Sequence, residues 1–348
     1  MMAGATHLRR CNAPGSKGFV MKKLNADQQY FVEEFYEDYR EGLLTRRQFI
    51  KRLAFITGSM AATIATMGMV GCTAEELPEA ATPMPTPEPP TAEPPTAETA
   101  AADLIPVPGA QSPFSVPEGD PDLVTGDVIF TSEGDEITAY LARPAAAGAY
   151  LAVLVCHENR GLNDHIRDVA RRFAKEGYVA LAVDLLSREG GAANLDPDQV
   201  PGLLSGAPAG RHTADFIAGF NYLEGQDFLD NGRIGMTGYC FGGGITWDVA
   251  VALPELKAAV PFYGRGLDLA QVGGIGAAVL GVYAEQDSRI NAGIEALEQA
   301  LTDAGVTHQM NVYPAVDHAF HNDTGSRYVE EQATQAWQDT LAWFSQYV

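Results

Sequence analysis

The chain has 348 residues, with 23 Lys and Arg against 45 Asp and Glu, and a net charge of -22. Charge of that sign repels nucleic acid and anionic lipid surfaces. The four cysteines, Cys11, Cys72, Cys156 and Cys240, are too few and too scattered for a disulfide framework or a CxxC zinc site.

The charge is uneven. Residues 1–72 hold ten Lys and Arg against six Asp and Glu, so 73–348 carries a net -26 from 13 basic and 39 acidic residues. Thr45-Arg46-Arg47-Gln48-Phe49-Ile50-Lys51 looks like a twin-arginine export motif, and the weakly hydrophobic segment Leu53 to Val70 reads as its h-region rather than a transmembrane anchor. Met69-Val70-Gly71-Cys72 resembles a lipobox, with Met69 in place of the usual Leu and Cys72 as the lipidated residue. Residues 1–72 are thus expected to be an export signal, with Met21 as an alternative start. Residues 73–120 are rich in Pro, Ala and Glu, and no Lys or Arg occurs between Arg52 and Arg143. Such a stretch buries little apolar surface and stays extended, so it reads as a disordered tether. The expected localisation is outside the cytoplasmic membrane, held there by lipid alone.

From 121 to 348 the pattern is that of one α/β domain. Asp127–Thr131 and Ile137–Arg143 predict a hairpin turning at Glu133-Gly134-Asp135. Leu151–Cys156 and Tyr178–Asp184 are continuous apolar runs, as fully buried parallel strands are. The spacing predicts helices over 165–176, 213–223, 245–253, 294–304 and 328–347. Further strands are predicted over 233–237, 258–263, 278–283 and 309–313. This alternation argues a mostly parallel sheet with helices on both faces, and places functional groups beyond the strand C-termini.

Three of those strand ends carry chemistry. Gly238-Tyr239-Cys240-Phe241-Gly242-Gly243 has the form of a nucleophile elbow, G-x-S-x-G, with Cys in place of Ser. The bland reading is a glycine-rich turn holding a buried Cys. Ala284-Glu285-Gln286-Asp287 follows the 278–283 strand, and Asp317-His318-Ala319-Phe320 follows the last one. Nucleophile, acid, base is the chain order of the α/β-hydrolase triad. Cys240 is then the nucleophile, His318 its base and Asp287 the group that orients the imidazole. Glu285, and less so Asp268, compete with Asp287; His321 competes with His318. The backbone N–H of Phe241 and of Asn159 would form an oxyanion hole. Cys156 reads as a buried strand residue. His157, His165, His212 and His308 lack ligand spacing, so no metal is expected.

With these residues the chain resembles the dienelactone hydrolase family over about 124–348, through the Cys240 elbow, His157-Glu158, Asp287 and His318-Ala319-Phe320. The resemblance implies the α/β-hydrolase fold and a Cys-His-Asp triad without a cofactor. It also implies an ester or enol-lactone small molecule as substrate, a monomer, and Glu158 as the carboxylate that contacts the thiol; a simple helix cap is the other reading of Glu158. The family holds a substrate carboxylate with two arginines. One lies four residues after the catalytic His, where this chain has Asn322, and the segment 195–210 that would hold the other contains no Arg. Arg188, Arg211 and Arg327 are the candidate replacements. The alternative to a cysteine-dependent hydrolase is a surface-tethered binding protein on an inactive hydrolase scaffold.

Overall fold

A computed structural model describes residues 24–58, Thr63 and 104–348. Its first two elements lie where the sequence reads as an export address. Helix α1, Ala26–Arg40, is started by a capping box in which Asn25 accepts from the N–H of Gln28 and the Gln28 side chain reaches back to Asn25. Helix α2, Arg46–Thr57, repeats the device with Thr45 and Gln48 and is stopped by Gly58 in the left-handed region, φ 74°. The twin arginines therefore open a helix. Phe49 and Leu53, from the expected signal, are fully buried. Cys11, Cys72 and the lipobox fall outside the described residues. Among the described residues no helix is long and apolar enough to cross a membrane.

The domain proper follows the expected alternation. Strands β1, Leu123–Ser132, and β2, Asp135–Pro144, form the hairpin. Then come β3, Tyr150–Cys156; α3, Asp164–Lys175; β4, Tyr178–Val183; a short α4, Val200–Gly206; and α5, Arg211–Glu224. The elbow strand is β5, Leu229–Tyr239, and the helix behind it α6, Phe241–Ala252. The chain closes with β6, Ala258–Phe262; β7, Ala278–Ala284; a four-residue α7, Ser288–Asn291; α8, Ile294–Ala304; β8, His308–Tyr313; and α9, Glu330–Tyr347. The eight strands lie in the order β1-β2-β4-β3-β5-β6-β7-β8. β2 is antiparallel to both neighbours, and all pairs from β4 onward are parallel. This is the mixed, mostly parallel sheet that the sequence predicts.

Burial explains the layering. Every residue of β4, β6 and β7 is buried, as are the last five of β3, because helices cover both faces. On one face α3 meets α9 through Phe173, whose ring lies 4.5 Å from Trp337 and 5.9 Å from Phe344. α5 and α6 pack against each other on the opposite face.

Two segments differ from the expected organisation. Residues 104–120 were predicted to belong to the tether, yet they form a strap along α3. Val116 N–H donates to Asp168 (2.7 Å), Arg171 Nε donates to the Val116 carbonyl (2.8 Å), and Glu118 accepts from Arg171 and Tyr140. The strap is ordered because buried side chains of α3 satisfy its backbone, which compensates for its poor apolar content. The second segment is α1–α2. It packs on α4, where Asn25 Nδ2 donates to the Ser205 carbonyl (2.8 Å), and pairs Lys51 and Arg52 with Asp198. It lies across the C-terminal edge of the parallel strands, over the expected site.

Candidate active site

Cys240 sits at the tip of the turn between β5 and α6 with φ 56° and ψ -117°. A non-glycine residue in that region is strained by about 1–3 kcal/mol. The fold holds it there: Cys240 N–H donates to the Phe262 carbonyl on β6 (3.1 Å), and small neighbours admit the turn. A Cβ on Gly238 would lie 2.2 Å from the Gly242 carbonyl oxygen, and one on Gly242 would lie 2.6 Å from the carbonyl oxygens of Cys156 and His157. Gly242 is thus required by backbone contact with the end of β3, and Gly238 by contact with the first turn of α6, not only by local flexibility.

Asp287, just past β7, and His318, past β8, meet as the sequence order predicts. Asp287 Oδ2 lies 2.6 Å from His318 Nδ1, and both residues are buried. Asp287 Oδ1 also accepts the N–H of Ile290, fixing the carboxylate. Burial alone would raise the Asp287 pKa, but His318, Arg289 and that N–H hold it below the usual carboxylate range. Burial alone would likewise lower His318; the Asp287 charge and hydrogen bond, joined by the Glu34 charge, outweigh it and leave His318 raised. His318 Nε2 is buried with no hydrogen-bond partner among the described residues. A His318 ring nitrogen, the Cys240 sulfur and a Glu34 carboxylate oxygen all lie within 4.8 Å of one another. Thiolate, imidazole and carboxylate are also zinc donors, so among the described residues those three side chains are the ones that could hold a thiophilic metal.

The competing residues are elsewhere. Glu285 accepts from the Ala315 N–H (2.8 Å), and Asp268 caps the turn after it by accepting from Ala270 N–H. His321 stacks on Tyr239 (5.1 Å), and burial holds its pKa well below the ordinary value. Cys156 is a buried strand residue, as predicted. Arg188 pairs with Asp135 and Asp215, and Arg211 with Glu189. Only Arg327, of the three candidate arginines, lines the site.

The thiol itself is held by groups that sequence reasoning missed. Tyr30 OH donates to Cys240 Sγ at 3.3 Å, and Sγ lies 3.5 and 3.6 Å from the two Glu34 carboxylate oxygens. Glu158, expected at the thiol, instead accepts from Asn322 Nδ2 (2.5 Å). That bond uses the position where the family has an arginine, and the carboxylate that hydrogen-bonds the thiol belongs to Glu34. Asn159 is at the site as predicted, but its side chain donates to Glu34 Oε1 (2.5 Å). Burial, then the charges of Glu34 and Glu158, push the thiol pKa well up; Tyr30 and the Phe241 N–H oppose them. This arrangement therefore favours the thiol over the thiolate. The signals for α1 were present in the sequence: the Asn25–Gln28 capping box, followed by apolar Tyr30, Phe31, Val32 and Phe35 among acidic residues.

Around the helix the site is reduced to two small cavities. One, of about 270 Å³, is lined by Glu34, Asp38, Asp287, Arg289, His318 and Arg327. The other, of about 180 Å³, is lined by Glu158, Asn159, Cys240 and Asn322 among others.

A profile described as "Dienelactone hydrolase family" matches residues 137–348. A carboxymethylenebutenolidase-like protein of Salmonella typhi is 36% identical over 262 residues, covering 70% of this chain and 94% of its own length. A similar protein of Methylorubrum extorquens is 37% identical over 240 residues, with 65% and 82% covered. The crystal structure of a dienelactone hydrolase-type protein from Klebsiella pneumoniae superposes with a TM-score of 0.61 at 36% identity, covering 65% of this chain and 99% of that one.

Proposed function

Since the chain belongs to the dienelactone hydrolase family and is a hydrolase of the ester or lactone type, we propose that it works through a Cys240–His318–Asp287 triad. The observation that carries this is the 2.6 Å contact of Asp287 with His318 beside a cysteine in an elbow of φ 56°. With a substrate carbonyl over Cys240, His318 Nε2 takes the thiol proton while Asp287 stabilises the imidazolium. The sulfur adds to the carbonyl carbon, and the oxyanion is met by the N–H groups of Phe241 and Asn159. Collapse expels the alkoxide, which takes the proton from His318, and leaves a thioester on Cys240. Water, deprotonated by His318, then releases the acid. Glu158 stands beside the site, holding Asn322, with its charge felt by the thiol.

The test is hydrolysis of p-nitrophenyl acetate, a simple lactone and a dienelactone by a fragment that starts at 104 and lacks α1, with mass spectrometry for an acyl group on Cys240. A trapped acyl-Cys240 and loss of turnover in Cys240→Ala are expected. Turnover surviving Cys240→Ala refutes the triad. The pattern across the three compounds decides whether the family's lactone is a substrate of a chain with Asn322 at the arginine position.

We also propose that the chain leaves the cytoplasm by the twin-arginine route and is lipidated at Cys72, after which a monomer is held at the outer face of the membrane. The paired Arg46-Arg47, the Leu53–Val70 segment and the Met69–Cys72 lipobox support this reading. Arg46→Lys with Arg47→Lys should retain the protein in the cytoplasm on fractionation; unchanged export counts against it.

A further inference from the structure

We propose that the surface around the Cys240 mouth is a docking surface for an acidic amphipathic helix, that α1 is its occupant, and that the enzyme is latent until α1 leaves. The inference concerns the site assigned above and rests on that reading for its link to turnover. A reacting carbonyl must come within about 3–3.5 Å of the sulfur. Tyr30 OH at 3.3 Å and the Glu34 carboxylate at 3.5 Å take that space, and Glu34 also engages Asn159 of the proposed oxyanion hole. Nothing can be acylated beneath them.

The two surfaces are complementary in charge. From the hydrolase domain, Arg265 Nε donates to Asp27 (2.7 Å), Arg289 Nε to Glu37 (3.0 Å), and Arg327 Nη2 to Asp38 (2.9 Å) and Glu41 (2.5 Å). The Arg289 guanidinium also lies 4.7 Å from the centre of the Tyr30 ring. Between these clamps an aromatic stripe is buried, with Phe31 stacked 5.3 Å from Phe241, the residue after the nucleophile. Acidic residues outside, aromatic residues inside and a tyrosine hydroxyl on the sulfur make α1 fit this mouth at every turn. The helix precedes Cys72, so processing at the proposed lipobox carries the whole occupant away.

The experiment uses the full chain in a Cys11→Ser, Cys72→Ser background, with iodoacetamide as the probe and peptide mass spectrometry reading the alkylation rate at Cys240. Asp38→Arg with Glu41→Arg removes both partners of Arg327. Basic residues near the C-terminus of α1 favour the helix itself, so the variant loosens docking without opposing helix formation. Adding Arg327→Glu restores opposite charges. Slow alkylation in the parent chain, a rise of about tenfold or more in the double variant, and a return toward the slow rate on adding Arg327→Glu are expected. A parent rate equal to that of an exposed thiol overturns the proposal, as does a double variant that reacts no faster. Faster alkylation without any ester turnover supports the docking and counts against the hydrolytic reading, so the two failures are separable.

Discussion

Phe31→Ala is the most informative single change to the helix. Phe31 is fully buried, and its ring stacks 5.8 Å from Phe35 and 5.3 Å from Phe241. Truncating a buried Phe costs about 3–5 kcal/mol. Much of that interaction exists only while α1 is docked, because its partner Phe241 belongs to the domain. At 1.4 kcal/mol per factor of ten, the docked-to-released ratio falls by about 100-fold or more. The assay is p-nitrophenyl acetate hydrolysis by the full chain, followed in parallel with the iodoacetamide rate at Cys240. Both should rise together, up to the ceiling of a fully released site. If the variant unfolds at a lower denaturant midpoint while neither rate moves, the helix is not in the way of the thiol and the argument from its contacts is wrong.

Asp287→Asn removes the charge that raises His318, so the acid limb of kcat/KM should move to lower pH as kcat falls by about 100-fold or more. In stability terms the sign is fixed by the raised pKa of His318. The contribution of His318 to this pair is present below the unfolded value of about 6.5, so long as Asp287 stays ionised, and is lost as pH rises through the higher folded value; thermal scans across that window in wild type and Asp287→Asn check it. Asp323 lies 3.0 Å from His165 Nδ1 and 2.8 Å from Arg172 Nη2 in a buried cluster. Asp323→Asn strands Arg172 with a weakened partner set and should cost about 3–5 kcal/mol in urea unfolding; a change below about 1 kcal/mol would show the cluster to be slack. Gly238→Ala drives a Cβ to 2.5 Å from Thr246 Oγ1 as well as onto the Gly242 carbonyl. It should cost about 1–3 kcal/mol or more and displace Cys240, and normal turnover in a normally stable Gly238→Ala chain would refute the close-approach account.

The strands, and the places of Cys240, Asp287 and His318 just beyond three of them, were legible because each depends on local signals. A buried strand is a continuous apolar run, and a group past its C-terminus has one edge of the sheet to occupy. Ile294–Ala304 is predicted and found with the same bounds. What was not legible depended on partners far away in sequence. The strap at 104–120 is poor in apolar residues, and it is ordered by Asp168, Arg171 and Asp323, 52 to 212 positions on. Helix α1 carried its own capping box, but the arginine pair behind it gave the segment an address reading, and an address implies no docking. Glu158 and Glu34 show the same limit at one atom. Both are acids within reach of one thiol, and only the packing of α1 decides which is bonded to it.

The strap bears on where the hydrolase can be cut. The family profile begins at 137 and the sequence pattern at about 121, yet Ser112 N–H donates to Asp323 (3.0 Å), Gln111 Nε2 to its carbonyl (3.1 Å), and Val116 N–H to Asp168. Asp323 lies five residues after His318, so the strap braces the loop that carries the His318 imidazole. A recombinant fragment begun at 121 would leave Arg171 short of the Val116 carbonyl and Asp323 short of two donors. Its inactivity would then report a missing brace rather than missing chemistry. A fragment that starts at 104 keeps the brace while discarding α1, and is the shorter form on which a negative assay would carry meaning.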